Sequence, residues 1–131
     1  MNVSVSNVSF RAVSKLSASG SVRRLVLAAV DSFDASVDAE SVALLTSEIF
    51  SNAVWACAQD IEINVDRLPG PTVRVEVIDA GAGWPTMVRT TPLDEGGGRG
   101  LLIVDALSDS WGARTDGDTG RKTVWFEVSA S

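Results

Sequence analysis

The chain has 131 residues, 45% of them apolar, which suits one domain with a core of its own. Its formal charge of −6 argues against a phosphate-backbone partner, which needs basic surface, and admits a basic protein partner. With no histidine and a single cysteine, Cys57, it excludes histidine-based catalysis, histidine metal ligands, an intrachain disulfide and cysteine-cluster metals.

No apolar run approaches the roughly 18 residues that cross a bilayer. The opening M-N-V-S-V-S-N-V-S-F lacks a basic region followed by an apolar block, so it does not read as a secretory signal. A single domain over residues 1–131, cytoplasmic and without a nucleic-acid or membrane partner, is therefore the expectation.

In chain order, Val3 to Val13 alternates apolar residues and serine and predicts a strand with a ragged start, suited to a sheet edge. Ser17 to Gly20 is a turn or the approach to a helix. Val22, Leu25, Val26, Ala29, Val30 and Phe33 then recur at helical spacing. Arg23 and Arg24 fall off that stripe, as solvated residues or as a partner-binding patch. A second helix is predicted from Ala39 to Gln59, with Val42, Ala43, Ile49, Phe50, Ala53, Val54 and Cys57 as its apolar stripe. Cys57 in mid-stripe reads as a small core residue rather than a reactive thiol. Glu48 and Asn52, one turn apart, lie on the opposite side together with Trp55. That face is either simply solvated or the border of a pocket or interface, which an exposed tryptophan suits.

Ile61, Ile63 and Val65 predict a strand, and Asp66 to Pro71 a hairpin loop. The partner strand is V-R-V-E-V-I-D, residues 73–79, with Val73, Val75 and Val77 on one face. Asp79 is in step with the valines, so its carboxylate points to the apolar side, where it needs a partner or a ligand. Gly81 and Gly83 follow at once. The stretch reads either as the floor of a pocket, with glycines admitting a molecule close to the backbone, or as a tight turn whose aspartate caps itself.

Trp84 to Gly98 has no periodicity and makes a long irregular loop. Gly98, Arg99, Gly100 and Leu101 then open a helix running to about Leu107. Its free backbone N–H groups suit an anion, or the glycines are a linker. Trp111 to Thr115 and Lys122 to Val128 predict a second hairpin around the turn Asp116 to Gly120. Helices with one apolar side and alternating strands imply an α/β two-layer sandwich, a mixed but mostly antiparallel sheet with helices on one face.

Taken together, Glu48 and Asn52 on a helix, an inward Asp79 with Gly81 and Gly83, and the glycine run at Gly98 to Gly100 suit a nucleotide site. An ionised Asp79 accepts from an exocyclic amine such as that of adenine, and Asn52 offers a neutral oxygen to Mg²⁺. The amides of Gly98 to Gly100 suit phosphates, and Glu48 is placed to take a proton.

Three ordered motifs carry a resemblance: S-E-I-F-S-N-A-V at 47–54, D-A-G-A-G at 79–83 and G-R-G-L-L-I-V-D at 98–105. With the final T-V-W-F-E strand, they resemble the GHKL ATPase superfamily, named for gyrase, Hsp90, histidine kinases and MutL, over nearly the whole chain. Within it the chain looks most like the small bacterial anti-sigma-factor serine/threonine kinases. The resemblance implies a Bergerat-type ATP-binding fold and ATP and Mg²⁺ as cofactors. It implies Asn52 as the metal residue, Glu48 as catalytic base and Asp79 on adenine, with the glycine stretches bracketing a lid over the phosphates; Arg99, the one cation within the glycine run, is expected on a phosphate when that lid closes. It also implies binding of a sigma factor, phosphorylation of an anti-anti-sigma (STAS-type) partner, a role in transcription regulation and a possible homodimer.

Such kinases often carry a basic pair where this chain has Trp55 and Ala56, which keeps open a regulatory binding module without kinase activity. The catalytic half of a histidine sensor kinase fits poorly, because the chain has no histidine to phosphorylate.

Overall fold

Strong period-2 alternation in four of the segments predicts a sheet with one apolar face. The computed structural model, which describes residues 6–56, 59–80 and 103–130, shows that sheet. Its strands are β1 (Asn7–Ala12), β2 (Ile61–Leu68), β3 (Thr72–Asp79), β4 (Ser110–Thr115) and β5 (Lys122–Ser129), in the order β1-β2-β3-β5-β4. Every described pairing is antiparallel. The two-layer α/β sandwich expected from the sequence is borne out, with β1 at an edge and β3 in the middle.

Register places Val73, Val75, Val77 and Asp79 of β3 opposite Val128, Phe126, Val124 and Lys122 of β5. With Ile61, Ile63 and Val65 of β2, these make the buried inner face. Two helices cover it, α1 (Ser19–Ser32), which follows a 3₁₀ turn at Leu16–Ala18, and α2 (Ala39–Ala56). Helix α1 packs on α2 and β2, and α2 packs on β3 and β5. Asp38 starts α2 as an N-cap, its Oδ1 accepting from the Glu40 N–H at 3.2 Å. Residues 103–107 are helical as well.

The helix stripes differ from the sequence reading in detail. On α1, Val22, Val26, Ala29 and Val30 are buried, but Leu25 is 50% exposed, on a flank that neither α2 nor the sheet covers. On α2, Leu45 and Thr46 join Val42, Ile49, Phe50 and Ala53 in the buried set, whereas Ala43 is only half-buried. Gln59, the expected end of α2, is not helical. Arg23 is not simply solvated: its Nη1 donates to Ser19 Oγ at 3.1 Å and Ser47 Oγ at 2.9 Å, tying α1 to α2.

The outer face of the sheet is polar. Arg74 pairs with Glu76 and Glu127 and lies 4.2 Å from the centre of the Trp125 ring. The ring needs Gly112 across from it on β4, where a Cβ would stand 2.8 Å from the indole.

Candidate functional site

Strand β3 ends at Asp79, and the alternation that buries its valines also buries this carboxylate, which is 1% exposed on the helix-covered face. The inward orientation expected from the sequence is therefore borne out. A carboxylate so placed needs compensation, and β5 supplies it. Lys122 is the cross-strand neighbour of Asp79, and its Nζ lies 3.7 Å from Asp79 Oδ1. Lys122 is also 1% exposed. The pair is an ion pair between two desolvated groups and is longer than a hydrogen bond.

The sequence reading missed Lys122. The available signal was parity: Lys122 is in step with the inward Val124, Phe126 and Val128. A lysine at the first position of a strand reads as a solvated end unless the neighbouring strand is known.

Helix α2 carries the other two candidates that are described, and it packs directly on β3. Asn52 is 7% exposed, which sets aside the simply solvated one of the two readings of this face at this position. It follows Ile49 by three residues and precedes Ala53, which places it at the border of the buried stripe. Glu48, one turn earlier, is half-buried, and burial pushes its carboxyl above the usual carboxylate range. A carboxylate held in that condition is a better proton acceptor than an exposed one. Trp55 on the next turns is 73% exposed, as the sequence reading allowed, and Ala56 is half-buried.

Gly81, Gly83, Gly98, Arg99, Gly100 and Leu101 lie outside the described residues, as does Cys57. The roles read for them from the sequence rest on the sequence alone.

The described side chains suit a nucleotide in kind. Asp79 offers a buried acceptor for an amine, and Asn52 offers a neutral amide oxygen. No group of three or more His, Cys, Asp or Glu converges among the described residues. A Mg²⁺ ion drawing most of its shell from phosphates and water is the kind that one amide oxygen can serve. No helix among the described residues is long and apolar enough to cross a membrane.

A family model described as histidine kinase-, DNA gyrase B-, and HSP90-like ATPase matches residues 37–131, which span α2, all of β2 to β5 and the glycine motifs. No curated protein matches the chain.

Proposed function

The chain belongs to the histidine kinase-, DNA gyrase B-, and HSP90-like ATPase family, and from that premise we propose that it is an ATP- and Mg²⁺-dependent serine/threonine protein kinase of the anti-sigma-factor type. In this reading it binds a sigma factor and phosphorylates a small anti-anti-sigma partner, which makes it a regulator of transcription. The observation that carries the nucleotide part is Asp79, a buried carboxylate at the end of the middle strand, on the face covered by the helix of Glu48 and Asn52.

Bound ATP and Mg²⁺ supply the transferable phosphoryl group and the charge that steadies it. Asp79 accepts a hydrogen bond from the exocyclic amine of the base. Asn52 would supply its amide oxygen to the metal, and the glycine run at Gly98 to Gly100, with Arg99, would serve the phosphates. Glu48 would receive the proton of the serine or threonine hydroxyl as its oxygen bonds to the terminal phosphorus of ATP and the bond to the bridging oxygen breaks, releasing ADP, a role that its raised proton affinity assists.

A second reading has one specific support. The positions of Trp55 and Ala56 offer an exposed indole and a methyl group in place of cations. That surface suits a regulator that binds nucleotide and a protein partner without transferring phosphate. Incubation with labelled ATP and a candidate STAS-type partner separates the two. Transfer by the wild type that is lost in Glu48→Ala, with ATP affinity retained, supports the kinase. Transfer that survives Glu48→Ala removes Glu48 as the base. ATP binding with no transfer to any candidate leaves the binding regulator.

A further inference from the structure

A lone buried carboxylate tends to take up a proton, because burial disfavours its charged form. That tendency matters at Asp79. Protonated, the group both donates and accepts; ionised, it only accepts. Only the ionised form rejects a base that presents a carbonyl oxygen where adenine presents an amine. Something must therefore hold the charge on Asp79 if the site is to select its base, and Lys122 is placed to do so. Its Nζ is 3.7 Å from Asp79 Oδ1, and both residues are 1% exposed.

The backbone fixes this neighbour. The pair closes the β3–β5 register at the end where β3 leaves the sheet. Among the described residues, the other charged side chains of the elements packed against β3 stand elsewhere. Glu62 and Asp66 of β2 lie on the outer face, as do Glu127 of β5 and the strand's own Arg74 and Glu76. Arg67 stands near the opposite end, across from Val73. The charged residues of helix α2 are Glu40 and Glu48, acids that supply no positive charge. An ion pair that is fully buried is seldom worth more to stability than an apolar pair of the same size, which leaves room for a role other than stability.

We propose that Lys122 is a positioning residue of the nucleotide site, holding Asp79 as an acceptor-only carboxylate and thereby setting the preference for a base with an exocyclic amine over one with a carbonyl. The inference rests on the reading of Asp79 as the base-recognition residue. Lys122 acts on the base through Asp79, and its effect is on discrimination rather than on phosphate chemistry.

The test is calorimetric titration of the full chain with ATP and with inosine triphosphate, each with Mg²⁺, at pH values from roughly 6 to 9. The proteins are the wild type, Lys122→Gln, which keeps a donor but removes the charge, and Lys122→Arg, which keeps the charge. The wild type is expected to prefer ATP by about tenfold or more, the worth of one charge-assisted hydrogen bond. In Lys122→Gln that preference falls to within about threefold at neutral pH and returns as the pH rises and Asp79 ionises. Lys122→Arg retains it.

An unchanged ATP preference in Lys122→Gln across the pH range overturns the proposal and leaves Lys122 a structural counter-ion. Binding of neither nucleotide to the wild type overturns the nucleotide-site reading itself, and the proposal with it. A measurement on the wild type alone covers the case in which the variants do not fold. Carbon-13 spectra of the protein labelled at aspartate carboxyls, with the Asp79 signal assigned, are expected to show Asp79 ionised at neutral pH. An Asp79 carboxyl still protonated there overturns the proposal.

Discussion

Asp79 and Lys122 are bound to one another energetically as well as in register. Removing one member of a buried ion pair strands the other charge, which costs about 3–5 kcal/mol, whereas replacing both with apolar residues is often close to neutral. Asp79→Leu is therefore expected to lose several kcal/mol in a urea titration, and Asp79→Leu with Lys122→Met to recover most of it. If the double variant is as weak as the single one, the two residues are not coupled. Any ligand-binding result on an Asp79 variant needs this control, since loss of binding otherwise mixes with loss of fold. Glu48 gives a second prediction with the opposite sense for stability and function. Burial raises its proton affinity in the folded state above that of the unfolded chain. Its favourable contribution is thus whole in acid, below the unfolded-state value, and is lost as pH rises through the raised folded-state value. At neutral pH the ionised side chain weakens the fold. Glu48→Gln is expected to raise the thermal midpoint at neutral pH, with the gain vanishing in acid. If Glu48 is the base, the same variant loses turnover by about 10²–10⁴-fold while keeping ATP affinity.

Elements depend on their ends, and α1 has an imperfect one. Asp34, just beyond the C-cap Phe33, has φ 56°, a left-handed conformation that favours glycine. It also sets a negative charge at the negative end of the helix dipole. The chain compensates from a distance, with Arg67 Nη1 of β2 donating to Phe33 O at 2.7 Å. Asp34→Gly is expected to stabilise by about 0.5–1 kcal/mol, read as a rise in denaturant midpoint at unchanged slope. A fall would mean that the Asp34 side chain contributes more than its backbone strain costs. At this scale much of the fold was legible in the sequence. Alternation in β2, β3 and β5 and the turn residues between strands are local signals, and they located the strands and the inward Asp79. The helix stripes were legible only in part. A stripe drawn from residue type excludes Thr46 and places Asn52 among solvated residues, yet helical geometry buries both. It includes Leu25, which is half exposed among the described residues. The inward side of Lys122 could be read from parity, but its pairing with Asp79 could not. Its partner is set by β5 pairing with β3 as well as with β4, a long-range choice that no window of sequence contains.

On the scale of the whole molecule, the candidate site draws on parts of the chain that are far apart in sequence. Asp79 ends β3, Lys122 begins β5, and Glu48 and Asn52 come from a helix that precedes both strands. Such a site exists only when the sheet and α2 are assembled, so a ligand there binds the folded state and not the unfolded chain. ATP should then raise the thermal midpoint by mass action. At about 100 times its dissociation constant the gain is about 2.7 kcal/mol, which for a chain of this size is roughly 10 °C. Charge sharpens the expectation. The protein carries −6 and the nucleotide is an anion, so the two repel at long range. Mg²⁺ reduces the charge of the ligand, and the rise is expected to be larger with Mg²⁺ than without it. Added salt narrows that difference by screening the repulsion. A midpoint unmoved by ATP at about millimolar concentration, with and without Mg²⁺, would remove the nucleotide from this fold and leave its Asp79–Lys122 pair as a purely structural one.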